Sequence, residues 1–128
     1  MTVGHHGSLV AVVDDDRGIL QSLECLLESA DHRVRVFTSA ADLLASDALQ
    51  EIGCLISDID MPRMDGFDLL AQVQAALPGL PTIVITGYPD RLKGLPALGG
   101  VTPRSFTKPF NTEELLAAVA DALRSSPC

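Results

Sequence analysis

The chain has 128 residues, 47% of them apolar, with no Trp and a single Tyr, which fits one globular domain with an aliphatic core and argues against a disordered chain or a disulfide scaffold. Its formal net charge of −8 offers no basic patch to neutralise phosphates, so this chain is not expected to bind nucleic acid directly or to sit on an anionic membrane. No run reaches the about 18 apolar residues of a membrane span, and the N-terminus has no signal-peptide pattern, so the cytoplasm is the expected location.

Residues 1–7, with His5-His6, read as a frayed polar tail. The domain is expected over residues 8–125, with 126–128 as a short C-terminal tail. Leu9 to Val13 is a continuous apolar run of strand length, the pattern of a parallel strand covered on both faces. From Asp16 the period changes. Ile19, Leu20, Leu23, Leu26 and Leu27 mark one face of a helix that Asp15 or Asp16 caps. Cys25 falls within this helix and Cys54 in a later strand. The spacing of Cys25, Cys54 and Cys128 matches no metal motif, and reduced, buried thiols are expected.

Arg33 to Phe37 is a short β-rich run, after which Ser39 caps a helix expected over residues 40–47. Gly53 to Ser57 is the next buried strand and ends at Asp58. Met61 to Gly66 has turn chemistry at both ends. Phe67, Leu70, Val73 and Leu77 give a helical face that Pro78-Gly79 stops, and Thr82 to Thr86 forms a fourth strand. A helix over 88–101 is expected on topology, but Pro89, Gly94, Pro96, Gly99 and Gly100 limit it to one or two turns. Residues 102–107 contain Pro103, which suits an edge strand. Asn111 and Glu114 form a capping box for a last helix whose buried face is Leu115, Leu116, Val119, Ala120 and Leu123.

Strict alternation of strand and helix predicts an α/β fold. It is a doubly wound, five-stranded parallel sheet between two helical layers, with the fourth helix short or irregular. Ligands of such sheets bind beyond the carboxyl ends of the strands, where strand order reverses. Asp14-Asp15, Asp58, Thr86 and Lys108 all fall at such ends. Three gathered carboxylates repel one another unless a cation joins them, and a hard divalent ion with oxygen ligands, Mg²⁺, is the natural candidate. Beside it, Asp58 can attack phosphorus to form an acyl phosphate, with Lys108 and Thr86 placed to meet phosphoryl oxygens. Each residue alone also has an ordinary structural explanation, such as a helix cap, a turn residue or a solvated lysine. Four such coincidences at alternating strand ends are harder to accept.

The segments VVDDD (Val12 to Asp16), SDIDMPRMDG (Ser57 to Gly66), VITG (Val84 to Gly87) and TKPF (Thr107 to Phe110) carry a family resemblance over roughly residues 9–124. The chain resembles a response-regulator receiver domain of two-component signalling, in the style of FixJ-type receivers. The resemblance implies a flavodoxin-like (βα)5 sandwich with Asp58 as phosphoacceptor. It implies that Asp15 ligates Mg²⁺ directly, Asp14 mainly through water, and Asp60 through its backbone carbonyl, while Thr86 and Lys108 contact the phosphoryl group. A sensor histidine kinase would be the donor, an effector domain or partner protein would read the signal, and a phosphorylation-dependent dimer is one form of output. The domain would signal rather than turn over a substrate. A phosphatase reading lacks a second general acid–base group near Asp58.

Two departures stand out. The family's aromatic switch residue falls three positions before the lysine, which here is Ser105. Phe106 is one residue later and would face the other way in a regular strand, unless Pro103 introduces a bulge that returns it. The switch pair is therefore Thr86 with either Phe106 or Ser105. The broken fourth helix is the second departure, and together they motivate an alternative, a degenerate receiver that binds partners independently of phosphorylation.

Overall fold

The structure is a computed structural model that describes residues 9–47, 49–59, 66–77, 80–88, 90, 104–108 and 110–124. The terminal tails with His5-His6 and Cys128, the expected boundaries at 8 and 125, the 61–65 loop, Pro78-Gly79, residues 91–101 of the broken helix and Pro103 lie outside the described residues.

The strands are β1 (Leu9–Val13), β2 (Arg33–Phe37), β3 (Ile52–Asp58), β4 (Thr82–Thr86) and β5 (Arg104–Thr107), and the helices are α1 (Arg17–Ser29), α2 (Ala40–Leu44), α3 (Gly66–Ala76) and α4 (Thr112–Arg124). All strand pairs are parallel, in the order β2-β1-β3-β4-β5. Strand order reverses between β1 and β3, so the C-terminal ends of these two strands flank the crevice where such sheets bind ligands.

Period-two alternation divides the core into two layers. Leu9, Ala11 and Val13 join α3 residues Leu70 and Val73 on one face. Val10 and Val12 join Leu20, Leu23 and Leu27 of α1 and Leu115, Ala118 and Val119 of α4 on the other. In β3 the register skips Gly53, since Leu9 pairs with Ile52 and Val10 with Cys54. This bulge places Ile52 and Cys54, two apart in sequence, on opposite faces. At the sheet edge, the exposed Arg33 and Arg35 of β2 blunt its open hydrogen-bonding row.

The caps follow the sequence closely. The Gly18 and Ile19 amides donate to Asp16 Oδ1 at 2.8 and 3.3 Å, so Asp16, not Asp15, caps α1. The Asp42 amide donates to Ser39 Oγ, and the Glu114 amide to Asn111 Oδ1. At the C-terminus of α1, Asp31 adopts φ 68°, and its amide and that of His32 donate to Glu28 and Leu27 carbonyls. The helix thus closes in the left-handed conformation that Asp tolerates better than most residues.

Three expectations are corrected. α2 ends at Leu44 and not at 47, because the Ala45 and Ser46 amides already close the last turn on Ala41 and Leu43. β3 starts one residue early, at Ile52, and includes Asp58. Cys25 is exposed, because it lies outside the stripe formed by Leu20, Leu23 and Leu27; Cys54 is buried, and burial pushes its thiol up to about 12.

We predict that Cys25→Ser changes stability by less than about 0.5 kcal/mol. Cys54→Ser, which puts a hydroxyl among Val10, Ile56 and Ile83, should cost about 1–3 kcal/mol. Urea unfolding of the two variants measures both.

Candidate functional site

Four adjacent strands deliver the site. Asp14 directly follows β1, Asp58 closes β3, Thr86 closes β4 and Lys108 follows β5. Backbone pairing continues past the strand ends and fixes these residues. The Asp14 amide donates to the Phe37 carbonyl at 3.2 Å, Ile59 to Ile85 at 3.1 Å and Lys108 to Thr86 at 2.8 Å.

Carboxylate oxygens of Asp14, Asp15 and Asp58 lie within 4.8 Å of one another. Asp14 and Asp58 are buried and Asp15 is exposed. Asp14 Oδ1 accepts from the Asp16 amide at 2.9 Å, which aims the carboxylate along the start of α1. Lys108 Nζ donates to Asp58 Oδ2 at 3.1 Å and lies 3.9 Å from Asp14 Oδ2. It is the one cation that the described ion pairs bring to these carboxylates.

Two charges about 4.8 Å apart repel by about 3–4 kcal/mol at an effective dielectric of about 20, while Lys108 attracts Asp58 by about 5 kcal/mol on the same scale. The lysine therefore offsets the mutual repulsion but not the removal of two carboxylates from water. Asp14 carries the remainder, with its carboxyl pushed up to about 7. Desolvation is the main cause and the neighbouring Asp58 adds to it; the Asp16 amide and Lys108 act in the other direction. This oxygen-only, charge-rich donor set fits a hard divalent cation, because one such ion removes both the repulsion and the desolvation penalty.

Thr86 is fully buried, and its hydroxyl serves the backbone of Tyr88. Oγ1 accepts from the Tyr88 amide at 3.0 Å and donates to the Tyr88 carbonyl at 3.4 Å. Asp60 lies outside the described residues. The β4–β5 register is unbroken, with Val84 paired to Ser105, Ile85 to Phe106 and Thr86 to Thr107. No bulge within β5 returns Phe106 to the face of Thr86. It packs against the layer that contains Ile83 and Ile85, while Ser105 is exposed on the face of Val84.

The sequence reading missed a groove of about 610 Å³ beside the carboxylates. Asp16, Ile19, Leu23, Leu26, Lys108 and Phe110 are among its lining residues. Ile19 and Leu26 were expected in the buried stripe of α1, yet they are only partly buried.

Residues 10–120 match the family model described as response regulator receiver domain. The chain is 36% identical over 120 residues to response regulator protein TmoT of Ectopseudomonas mendocina, covering 94% of this chain and 54% of that protein. It is 32% identical over 125 residues to transcriptional regulatory protein FixJ of Bradyrhizobium diazoefficiens, covering 98% and 59%. It thus spans a little over half the length of these relatives. Among solved structures, the signal receiver domain of an HD domain-containing protein from Pseudomonas fluorescens Pf-5 superposes with a TM-score of 0.82 at 30% identity, covering 94% of this chain and 97% of that one.

Without divalent cations, Asp14 keeps its proton to a pH of about 7 when folded but loses it near 3.8 when unfolded. The native state then binds more protons between these values, so stability should fall as pH rises from 3.8 to about 7 and level off above. Asp14→Asn should remove this contribution and be more stable than the wild type at pH 8 by about 1–4 kcal/mol. Urea unfolding at pH 5 and pH 8 checks this, and the same pH slope in both proteins would count against it.

Proposed function

The chain belongs to the response regulator receiver family of two-component signalling, and we propose that it is a phosphorylation switch in which Asp58 accepts a phosphoryl group from a histidine kinase. The observation that carries this reading is the Asp14–Asp15–Asp58 cluster, closed on one side by Lys108. A buried carboxylate held beside two other acids and a lysine has little structural value and is a poor choice for stability alone.

In the proposed reaction an oxygen of Asp58 bonds to phosphorus as the phosphorus–nitrogen bond of a kinase phosphohistidine breaks, and the electron pair stays with the imidazole. Asp14, Asp15 and Asp58 would hold Mg²⁺, joined by the backbone carbonyl of Asp60. When bound, Mg²⁺ neutralises charge that develops on the transferring oxygens. Lys108 is already within hydrogen-bonding distance of Asp58 and would meet a second phosphoryl oxygen as a point charge. Thr86 would turn its hydroxyl from Tyr88 to a third.

The apolar groove between Ile19, Leu23, Leu26 and Phe110 borders this site, with Asp16 and Lys108 in its wall. A protein donor must bring its phosphohistidine close to Asp58, and this groove offers apolar surface for it beside the reacting atoms. An effector domain or partner protein would then read the switched surface. The domain is proposed to occupy residues 8–125 and to act in the cytoplasm; among the described residues no helix is long and apolar enough to cross a membrane. The exposed Ser105 in place of an aromatic supports a second reading, binding of partners independently of phosphorylation.

Intact mass after incubation with acetyl phosphate should rise by one phosphoryl group only when Mg²⁺ is present, and Asp58→Asn should abolish the gain. A gain that persists in Asp58→Asn would refute the assignment, whereas unaltered partner binding by Asp58→Ala would favour the second reading. Leu26→Asp should slow transfer from the kinase by about tenfold or more, the equivalent of about 1.4 kcal/mol of lost docking. It should leave the acetyl phosphate reaction within about twofold, because Leu26 lines the groove and is not one of the carboxylate, hydroxyl or amine groups assigned to the reaction.

A further inference from the structure

Tyr88 is the exposed large hydrophobic residue among those described, with 65% of its surface in solvent, and it stands two residues beyond Thr86. Both polar groups of its backbone bond to the Thr86 hydroxyl. An aromatic side chain is thus left in water while its main chain is tied to the group that a phosphoryl oxygen would attract.

The neighbouring strand offers a place for the ring. Val84, Thr86, Ser105 and Thr107 share one face of the β4–β5 pair, because register partners in a parallel ladder point the same way. That face carries only small side chains on the described part of β5, and Ser105 is exposed there. Phe106 is committed to the opposite layer with Ile83 and Ile85. No aromatic of β5 can therefore move in response to Thr86.

We propose that Tyr88 is the residue that reports phosphorylation of Asp58, its ring leaving solvent to cover β5 at Ser105 when the Thr86 hydroxyl turns to a phosphoryl oxygen. The inference rests on the phosphoacceptor reading above. A hydroxyl has a single proton to donate, so donation to phosphate releases the Tyr88 carbonyl. Movement of Oγ1 also draws on the Tyr88 amide, only two residues away, and the backbone that positions the ring must adjust. A phenol suits both states, with an amphipathic edge that tolerates water and a flat face that covers a small residue such as Ser105. The signal then leaves the site along the chain of β4 and not across the sheet to a β5 aromatic.

The composition supplies a direct test. Tyr88 is the only Tyr and the chain has no Trp, so tyrosine emission comes from this residue alone. Acrylamide, an uncharged quencher, avoids the bias that a net charge of −8 imposes on ions. After phosphorylation by acetyl phosphate with Mg²⁺, verified by intact mass, the quenching constant should fall by about twofold or more as the ring is covered. Thr86→Val, brought to the same phosphorylated mass, should show no fall. Ser105→Phe, which fills the space, should leave Tyr88 as accessible after phosphorylation as before. A full mass gain with unchanged quenching in the wild type overturns the proposal alone, as does a wild-type fall in Thr86→Val. Protection retained in Ser105→Phe overturns the assigned destination. Absence of any mass gain overturns the phosphoacceptor reading and this inference together.

Discussion

The mutual repulsion of Asp14, Asp15 and Asp58 is the constraint on which the rest of the site depends. Folding brings their oxygens within 4.8 Å and removes two of the three residues from water. Lys108 offsets part of the cost, and a proton retained on Asp14 offsets more in the absence of a metal ion. Such an arrangement responds strongly to whatever changes its charge. A divalent cation would relieve it, and the phosphoryl group proposed for Asp58 would rearrange it. The same energetic weakness that makes the cluster a poor structural element would suit it to the proposed role of a trigger.

Placing those charges needs a rigid frame, and the frame is ordinary core packing. The two apolar layers clamp β1, β3 and β4 from both sides. Backbone hydrogen bonds then run on past the strand ends through Asp14, Ile59 and Lys108. Side chains at the rim therefore inherit positions set by the sheet. The Gly53 bulge belongs to this logic, since it sets which residues of β3 face which layer on the way to Asp58.

The two sides of the site differ in character. Toward α1 and α4 there is an apolar groove with Lys108 and Asp16 in its wall, a shape suited to an incoming protein. Toward β4 and β5 there is a buried hydroxyl bound to the backbone of an exposed tyrosine, next to a strand whose near face carries Ser105. On the proposed reading, donor access and signal output would be separated, one on each face of the sheet. The orientation of Phe106 enforces that separation, because its ring completes the α1–α4 layer.

Most of the fold was legible in the chain itself. The buried runs Leu9–Val13 and Thr82–Thr86, the centres of the helical stripes at Leu20, Leu23 and Leu27 of α1 and Leu115 and Val119 of α4, and the caps at Ser39 and Asn111 are local signals, because strand and helix periods and capping bonds act within a few residues. Leu116, Ala120 and Leu123, expected in the α4 stripe, are only partly buried, and Ala118 is buried instead. The aspartates, Thr86 and Lys108 were legible too, since their places at strand ends follow from the same local boundaries. Tertiary structure alone decided the rest. It exposed Cys25, left Ile19 and Leu26 to line a groove, raised the affinity of Asp14 for its proton and joined the Thr86 hydroxyl to Tyr88. It also turned Phe106 away from Thr86 through an unbroken ladder, where Pro103 had left a bulge open. Each of these depends on which elements become neighbours and how much water they exclude, and both are properties of the assembled sheet and its two helical layers, invisible in any short stretch of sequence.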